Sequence, residues 1–386
     1  MTGITPSSSA PPPKRGLELF VVVLWVLGVI AATLQQGVQD QNNNFLIFRA
    51  ASLHLLHGRD LYAAYPALHV DFFKYSPTFA LLFLPFAVLP FAFSMLAWNA
   101  LNAGALYLAI GMVLPRRGAL IARSIVFLDM LGSLQNVQSN ALVAGLIILT
   151  FAAYERRHTV IGALAAGVGT SIKVFPLAGL SFAVFHPGKL RVAAATGLVT
   201  LGLLLAPLLV TPAHTLLAQY ASWRAIESHD ALDRGFTVMQ MVQLLLRQDW
   251  PNWPQQLAGV GLLVAPVLVR RDQWTNWSFR RLYLCSVLVF CVICVIFNHQ
   301  SESPTFVIAV AGAAIWFASL ARPTRGEWAL FGFLVVCTKL ASSDAMPRSI
   351  QHAVFDRYHF KTVPCVVLWV VLQGRLWLQR PLALEG

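Results

Sequence analysis

Long apolar runs interrupted by short polar islands organise this chain. Residues 17–34 are apolar for long enough to cross a ~30 Å hydrocarbon layer as a helix. Further runs occur at 91–114, 119–135, 140–154, 159–171, 174–187, 191–210, 254–270, 281–297, 304–321, 327–341 and 361–379. The pattern predicts an all-α, polytopic transmembrane helical bundle of about 12 spans, several of them short. The alternating segments that a membrane β-barrel needs are absent. One more apolar stretch, 77–89, breaks the alternation of sides. Pro85 and Pro90 make it half of a broken helix or a re-entrant element, which membrane depth tolerates only against protein or a cavity.

The largest polar island, 35–76, holds Asp40, Asp60 and Asp71, three histidines and the Asn42-Asn43-Asn44 run. Within it Phe45, Phe48, Ala51, Leu55 and Leu56 fall at helical spacing, with Arg49, Ser52 and His54 between them. That spacing predicts an amphipathic helix lying on the bilayer surface. A second large loop spans 211–253 and a third 342–360. Residues 1–16, with their SSSAPPPK run, read as a disordered cytoplasmic tail. Residues 17–380 read as one integral membrane domain.

The chain has 57% apolar and 11% charged residues with a net charge of +12, which raises the question of nucleic acid. The positions of the charges answer it. With a cytoplasmic N-terminus, 17 of the 28 Lys and Arg fall in cytoplasmic loops, against five of the 16 acids. The basic excess is therefore the positive-inside signature of a cell-membrane protein, and no nucleic-acid partner is needed. On this topology the large loops and eight of the ten histidines collect outside the cytoplasm. The five cysteines all lie in apolar runs and read as packing residues.

Candidate chemistry gathers in four outer clusters. The first loop offers Asp40, Asn44, Arg49, Asp60, His69, Asp71 and Lys74; Gln138 and Asn140 open a helix within 133–141. Lys173 stands between two short helices in SIKVFP, and His299 pairs with Glu302 in FNHQSESP. Amides and a lysine at membrane depth must find partners or line a polar cavity. Each has a plainer reading: Lys173 snorkelling, Gln138 and Asn140 bonding between helices, Glu302 filling a first helical turn. Exposed acids such as Asp60 and Glu227 read as solvated, whereas Asp129, inside an apolar run, is costly to leave idle. Nothing demands a metal or cofactor.

The stretch FLIFRAASLHLLHGRDLYAAYP, followed by KYSPTFALLFLPFAVLP, resembles the first outer loop of glycosyltransferase family 87. The resemblance continues through QNVQSNALVAGLIILTFAAYERR, GALAAGVGTSIKVFPLAGL, FNHQSESPTFVIAVAGAAIW and SSDAMPRSIQHAVFDRYHFKTVP. It implies an integral membrane enzyme of the GT-C superfamily, similar to polyprenyl-phosphate-mannose-dependent mannosyltransferases. The implied partners are a polyprenyl-phosphate sugar donor, a glycan or glycolipid acceptor and the lipid bilayer. The implied reaction transfers one sugar to an acceptor hydroxyl outside the cytoplasm, with a first-loop acid as base. The commoner family pattern places an Asp just before F-x-x-F/Y-x-x-A, where this chain has Asn44. An amide cannot take a proton, so the expected base is Asp71, with Asp40 as the alternative. The departing phosphate would be held by Lys74, Lys173, Arg49 or His299. A transporter or flippase of a lipid-linked sugar is the competing class; polar residues crowded on one face favour the enzyme.

The topology has a direct check. Cysteines introduced at Ser228 and Ser301 should react with an impermeant thiol reagent in intact cells, and one at Thr324 should not. Labelling at Thr324 alone would invert the assignment of sides.

Overall fold

The computed structural model describes residues 15–39, 42–230, 236–248, 250–294, 302–339, 349 and 360–378. Its helices are α1 (Arg15–Gln39), α2 (Asn43–Leu56), α3 (Pro77–Val88), α4 (Phe91–Val113), α5 (Arg116–Gln135), α6 (Asn140–Glu155) and α7 (Thr159–Ile172). A 3-10 helix, Phe175–Phe185, leads to α8 (Lys189–Leu205), α9 (Ala213–Asp230), α10 (Val238–Leu246) and α11 (Asn252–Val269). The last are α12 (Trp277–Ile293), α13 (Phe306–Ala318), α14 (Arg325–Lys339) and α15 (Thr362–Leu378). No strand occurs among the described residues.

Four helical stretches are long and apolar enough to cross a bilayer: Arg15–Gly37, Phe91–Val113, Arg116–Gln135 and Lys189–Leu209. Other apolar helices fall short of a full span by themselves. The expected run 174–187 is an 11-residue 3-10 helix, and Pro85 sits inside the 12-residue α3. Large apolar side chains on α1 and α8, including Phe20 and Leu198, remain uncovered by protein, as lipid-facing positions are.

The centre of the bundle is α6 and α13. Almost every side chain of each is buried, so both are apolar all round rather than amphipathic. Small residues let neighbours approach: a Cβ on Gly145 of α6 would stand 2.8 Å from the Ala105 carbonyl carbon of α4. Asn102 of α4 then fixes the height of α6. Its Oδ1 accepts the Leu142 N–H at 3.1 Å, satisfying one of the orphan donors at the start of α6.

Helix α2 of the first loop is packed into the protein instead of lying on a surface. Phe45 and Phe48 of α2 meet Phe79, Phe83 and Trp98 in a cluster of edge-to-face rings. Ser52 and His54, expected on a wet face, are buried. The Ser52 hydroxyl donates to the Phe48 carbonyl at 2.9 Å, and the His54 ring lies 4.1 Å from the Tyr65 ring. Burial first, then the Arg59 charge, lowers the His54 imidazole pKa below its ordinary value. α2 ends on Gly58 at φ 64, where Gly58 and Arg59 N–H groups return to the Leu55 and His54 carbonyls.

Gly145→Val should lower the thermal unfolding midpoint in detergent by several degrees. The added methyls have only the α4 backbone to displace, an overpacking cost of about 1–3 kcal/mol or more. An unchanged midpoint would mean that α4 and α6 do not cross this closely.

Candidate functional site

Three turns of chain, all at one end of the bundle, build a polar cavity. The first is the end of the opening loop. Ser76 caps α3: its Oγ accepts the Phe79 N–H at 3.2 Å and donates to the Ser171 carbonyl of α7 at 2.5 Å. Pro77 supplies the first helical residue. The cap therefore pins the loop residues before it, Asp71 and Lys74, to the end of α7. That end carries Lys173.

The second is the α5–α6 turn. Val137 and Gln138 N–H groups return to the Leu134 and Ser133 carbonyls, the double bond of a Schellman ending. The turn requires a left-handed residue, and Val137 supplies it at φ 49. A β-branched residue there costs on the order of 1–3 kcal/mol. Val137 is also fully buried, so its own packing opposes that cost. The outcome is that Gln138 is aimed inward.

The third is the approach to α13. Glu302 precedes a short 3-10 turn, Ser303–Thr305, that runs into α13. Its carboxylate accepts a hydrogen bond from the Gln138 amide. Gln138 Oε1 accepts from the Asn140 amide, and Asn140 Oδ1 accepts from Lys173 Nζ at 2.8 Å. A single chain of bonds thus runs Lys173–Asn140–Gln138–Glu302 through α7, α6 and the approach to α13. Asn140 is fully buried and Gln138 nearly so, which leaves neither amide free to turn toward solvent. An ammonium has three donors, of which Asn140 takes one.

Asn44, Asp71, Lys74, Gln138, Lys173 and Glu302 line the cavity together, with Trp223 and Glu227 from α9. Lys74 Nζ stands 3.5 Å from an Asp71 carboxylate oxygen, and that carboxylate is 55% exposed, so the ion pair is open to exchange with water or substrate. Asn44 donates to the Asn136 carbonyl at 2.8 Å, joining the first loop to the α5–α6 turn. The cavity holds about 60 Å³, room for a few waters only. Its charged groups are thus drawn close around very little space. Among the described residues, no three His, Cys, Asp or Glu side chains gather to hold a metal ion.

An apolar groove adjoins it. Leu177 donates its N–H to the Val174 carbonyl at 3.0 Å, so one 3-10 turn separates the polar cavity from Leu177. Leu177 opens a groove of about 390 Å³ between the 3-10 helix, α11 and α12.

Not every expected residue arrives here. Arg49 is half-buried on α2 and lies outside the lining. Asp40 and His299 fall outside the described residues. Asp129, an acid without an evident role in the sequence, forms an ion pair with Lys339 of α14. Lys339 also donates to the Ile125 carbonyl at 2.9 Å, which makes the pair a tie between α5 and α14. Glu227, expected to be solvated, lines the cavity instead. Trp223 Nε1–H donates to its carboxylate at 3.2 Å. Gln219, one turn earlier, holds the first loop through the Leu61 N–H and the Arg59 carbonyl. Gln219, Trp223 and Glu227 at intervals of four are one face of α9, a spacing visible in the sequence.

The match of a family model for glycosyltransferase family 87 covers residues 72–343, well over half of the chain. It includes Lys74, Gln138, Asn140, Lys173, Glu227 and Glu302, and begins one residue after Asp71. No curated protein matches the chain. Helices apolar enough to span a bilayer and this family match agree: the chain belongs to glycosyltransferase family 87, and it is a membrane enzyme that transfers sugars.

Proposed function

We propose that the enzyme transfers a hexose, mannose foremost, from a polyprenyl-phosphate sugar to an acceptor hydroxyl at the extracytoplasmic face of the cell membrane. The acceptor is a glycan or glycolipid. One observation carries this reading: a cavity with two lysines and three carboxylates stands one helical turn from an apolar groove. A lipid-linked sugar phosphate has the same division, an anionic head on an apolar tail.

In this mechanism the phosphate sits on Lys173, with Lys74 as the second cation, and the lipid tail runs past Leu177 into the groove. The acceptor oxygen attacks the anomeric carbon and the carbon–oxygen bond to the phosphate breaks. Polyprenyl phosphate departs with the bonding electrons, and the lysines stabilise the charge it gains. The acceptor's proton goes to a carboxylate. Asp71 is the proposed base, because it lines the cavity yet is exposed enough to meet an incoming hydroxyl. Glu302 is held by Gln138 and is assigned to positioning the lysine relay. Asp40 remains the alternative base.

Asp71→Asn keeps the shape and removes the proton acceptor, so turnover should fall about 10²–10⁴-fold while donor binding survives. Transfer assays on purified protein with a polyprenyl-phosphate mannose donor would read this. Normal turnover beside an inactive Asp40→Asn would move the role to Asp40. Normal turnover in both would remove the first loop from the chemistry.

Lys173→Gln removes the charge but can still donate to Asn140. Donor affinity should weaken about tenfold to a hundredfold, the effect of one charge-assisted hydrogen bond of ~1.5–3 kcal/mol. Unchanged donor affinity would leave Lys173 as a structural tie alone.

A further inference from the structure

A second cleft, of about 540 Å³, lies between α12, α13 and α15. It is at the other end of the bundle from the sugar-transfer site. Lys361, beside the start of α15, donates to Ser303 beside the start of α13 at 2.5 Å, so both helices begin near Glu302. The cleft is lined by residues at the far ends of these two helices: Trp316, Ser319, Gly374 and Arg375. At 1.5 Å per residue, the 13 residues of α13 separate the two sites by about 20 Å.

Its walls are mostly apolar, but two arginines enter it. Arg281 of α12 is half-buried, and its guanidinium carbon stands 5.9 Å from the Trp277 ring. Among the described residues, nothing accepts a hydrogen bond from it. Arg375 gives one nitrogen to Glu327 and stands 5.6 Å over the Trp316 ring. A half-buried guanidinium carries five donors, and leaving them without acceptors costs free energy. Apolar walls cannot supply those acceptors. Water can reach the mouth of the cleft but does not match a planar fork as an anionic oxygen pair does.

We propose that this cleft binds an anionic phospholipid of the surrounding bilayer. The phosphate of the headgroup sits between Arg281 and Arg375, and one acyl chain lies along the wall formed by Leu282, Cys285 and Trp316. Charge complementarity selects an anion, and the apolar walls select one that carries a chain. Arginine and tryptophan at a helix end are also the residues that anchor a protein at the headgroup layer. The site is independent of the sugar donor and of the identity of the base.

The test uses the full-length protein in nanodiscs of phosphatidylcholine, with or without phosphatidylglycerol. The thermal unfolding midpoint is measured, and native mass spectrometry counts retained lipid. Phosphatidylglycerol should be retained in preference to phosphatidylcholine and should raise the midpoint. Arg281→Gln should lower that retention about tenfold or more. Gly374→Leu provides a second variant that leaves both arginines in place. A Cβ at Gly374 meets nothing within 4 Å, and leucine favours a helix over glycine, so the variant should fold with the cleft filled. It too should lose the retained lipid. Equal retention of the two lipids by the unaltered protein would overturn the proposal, as would undiminished retention in both variants. Inorganic phosphate that reproduces the midpoint shift would overturn the lipid assignment in favour of a bare anion site. Loss in Arg281→Gln with full retention in Gly374→Leu would do the same.

Discussion

A lysine at the end of an apolar helix sets the terms for the polar end of this bundle. Its ammonium needs acceptors, because the apolar helix that carries it supplies none from its own side chains. Asn140 supplies one oxygen, but a buried amide that accepts must also place its own N–H groups. Gln138 answers Asn140, and Glu302 answers Gln138. The chain of obligations ends only where a carboxylate is exposed. Three helix ends are thereby tied by groups that cannot be removed singly without leaving a buried partner unsatisfied. The strained Val137 turn belongs to the same constraint, since it delivers Gln138 to its place.

That constraint also explains which residues are legible in the sequence. Lys173, Gln138, Asn140 and Glu302 stand as polar islands in apolar surroundings, and such residues can be picked out before any contact is known. Asp71 and Lys74 are visible because Pro77 marks where the loop re-enters the apolar region. Glu227 is hidden by its context. α9 carries polar side chains along much of its length, so Glu227 does not stand out until Gln219 is seen to anchor the helix. Asp129 is conspicuous for the right physical reason, but its partner is not. Its cation, Lys339, lies 210 positions away, and the sequence has no periodicity that joins them. The fold class can be read from hydropathy, but the short helices cannot be sorted into spans. Neighbours shield α6 and α13 on every side, so their apolar residues report burial in protein as much as contact with lipid.

The two walls of the polar cavity proposed for sugar transfer differ in how firmly they are held. Lys173, Asn140 and Gln138 belong to buried helix ends bonded to one another. Asp71 and Phe72 are exposed on the loop wall. A space of about 60 Å³ is well below the ~300 Å³ at which small-molecule sites begin. On the proposed mechanism a sugar phosphate would need one wall to give way, and the loop wall has less buried surface to lose. The cation and the candidate base consequently sit on opposite sides of the opening. In the proposed mechanism Lys173 would meet the phosphate on a fixed surface before Asp71 is brought against the acceptor. Order of that kind would suit the proposed reaction, in which the donor is held in the membrane and the acceptor arrives from water. It also means that the charge pair Lys74–Asp71 must part, or turn, for the base to work. At 55% exposure of the carboxylate that separation is cheap, since a solvated pair is worth about 1 kcal/mol at most.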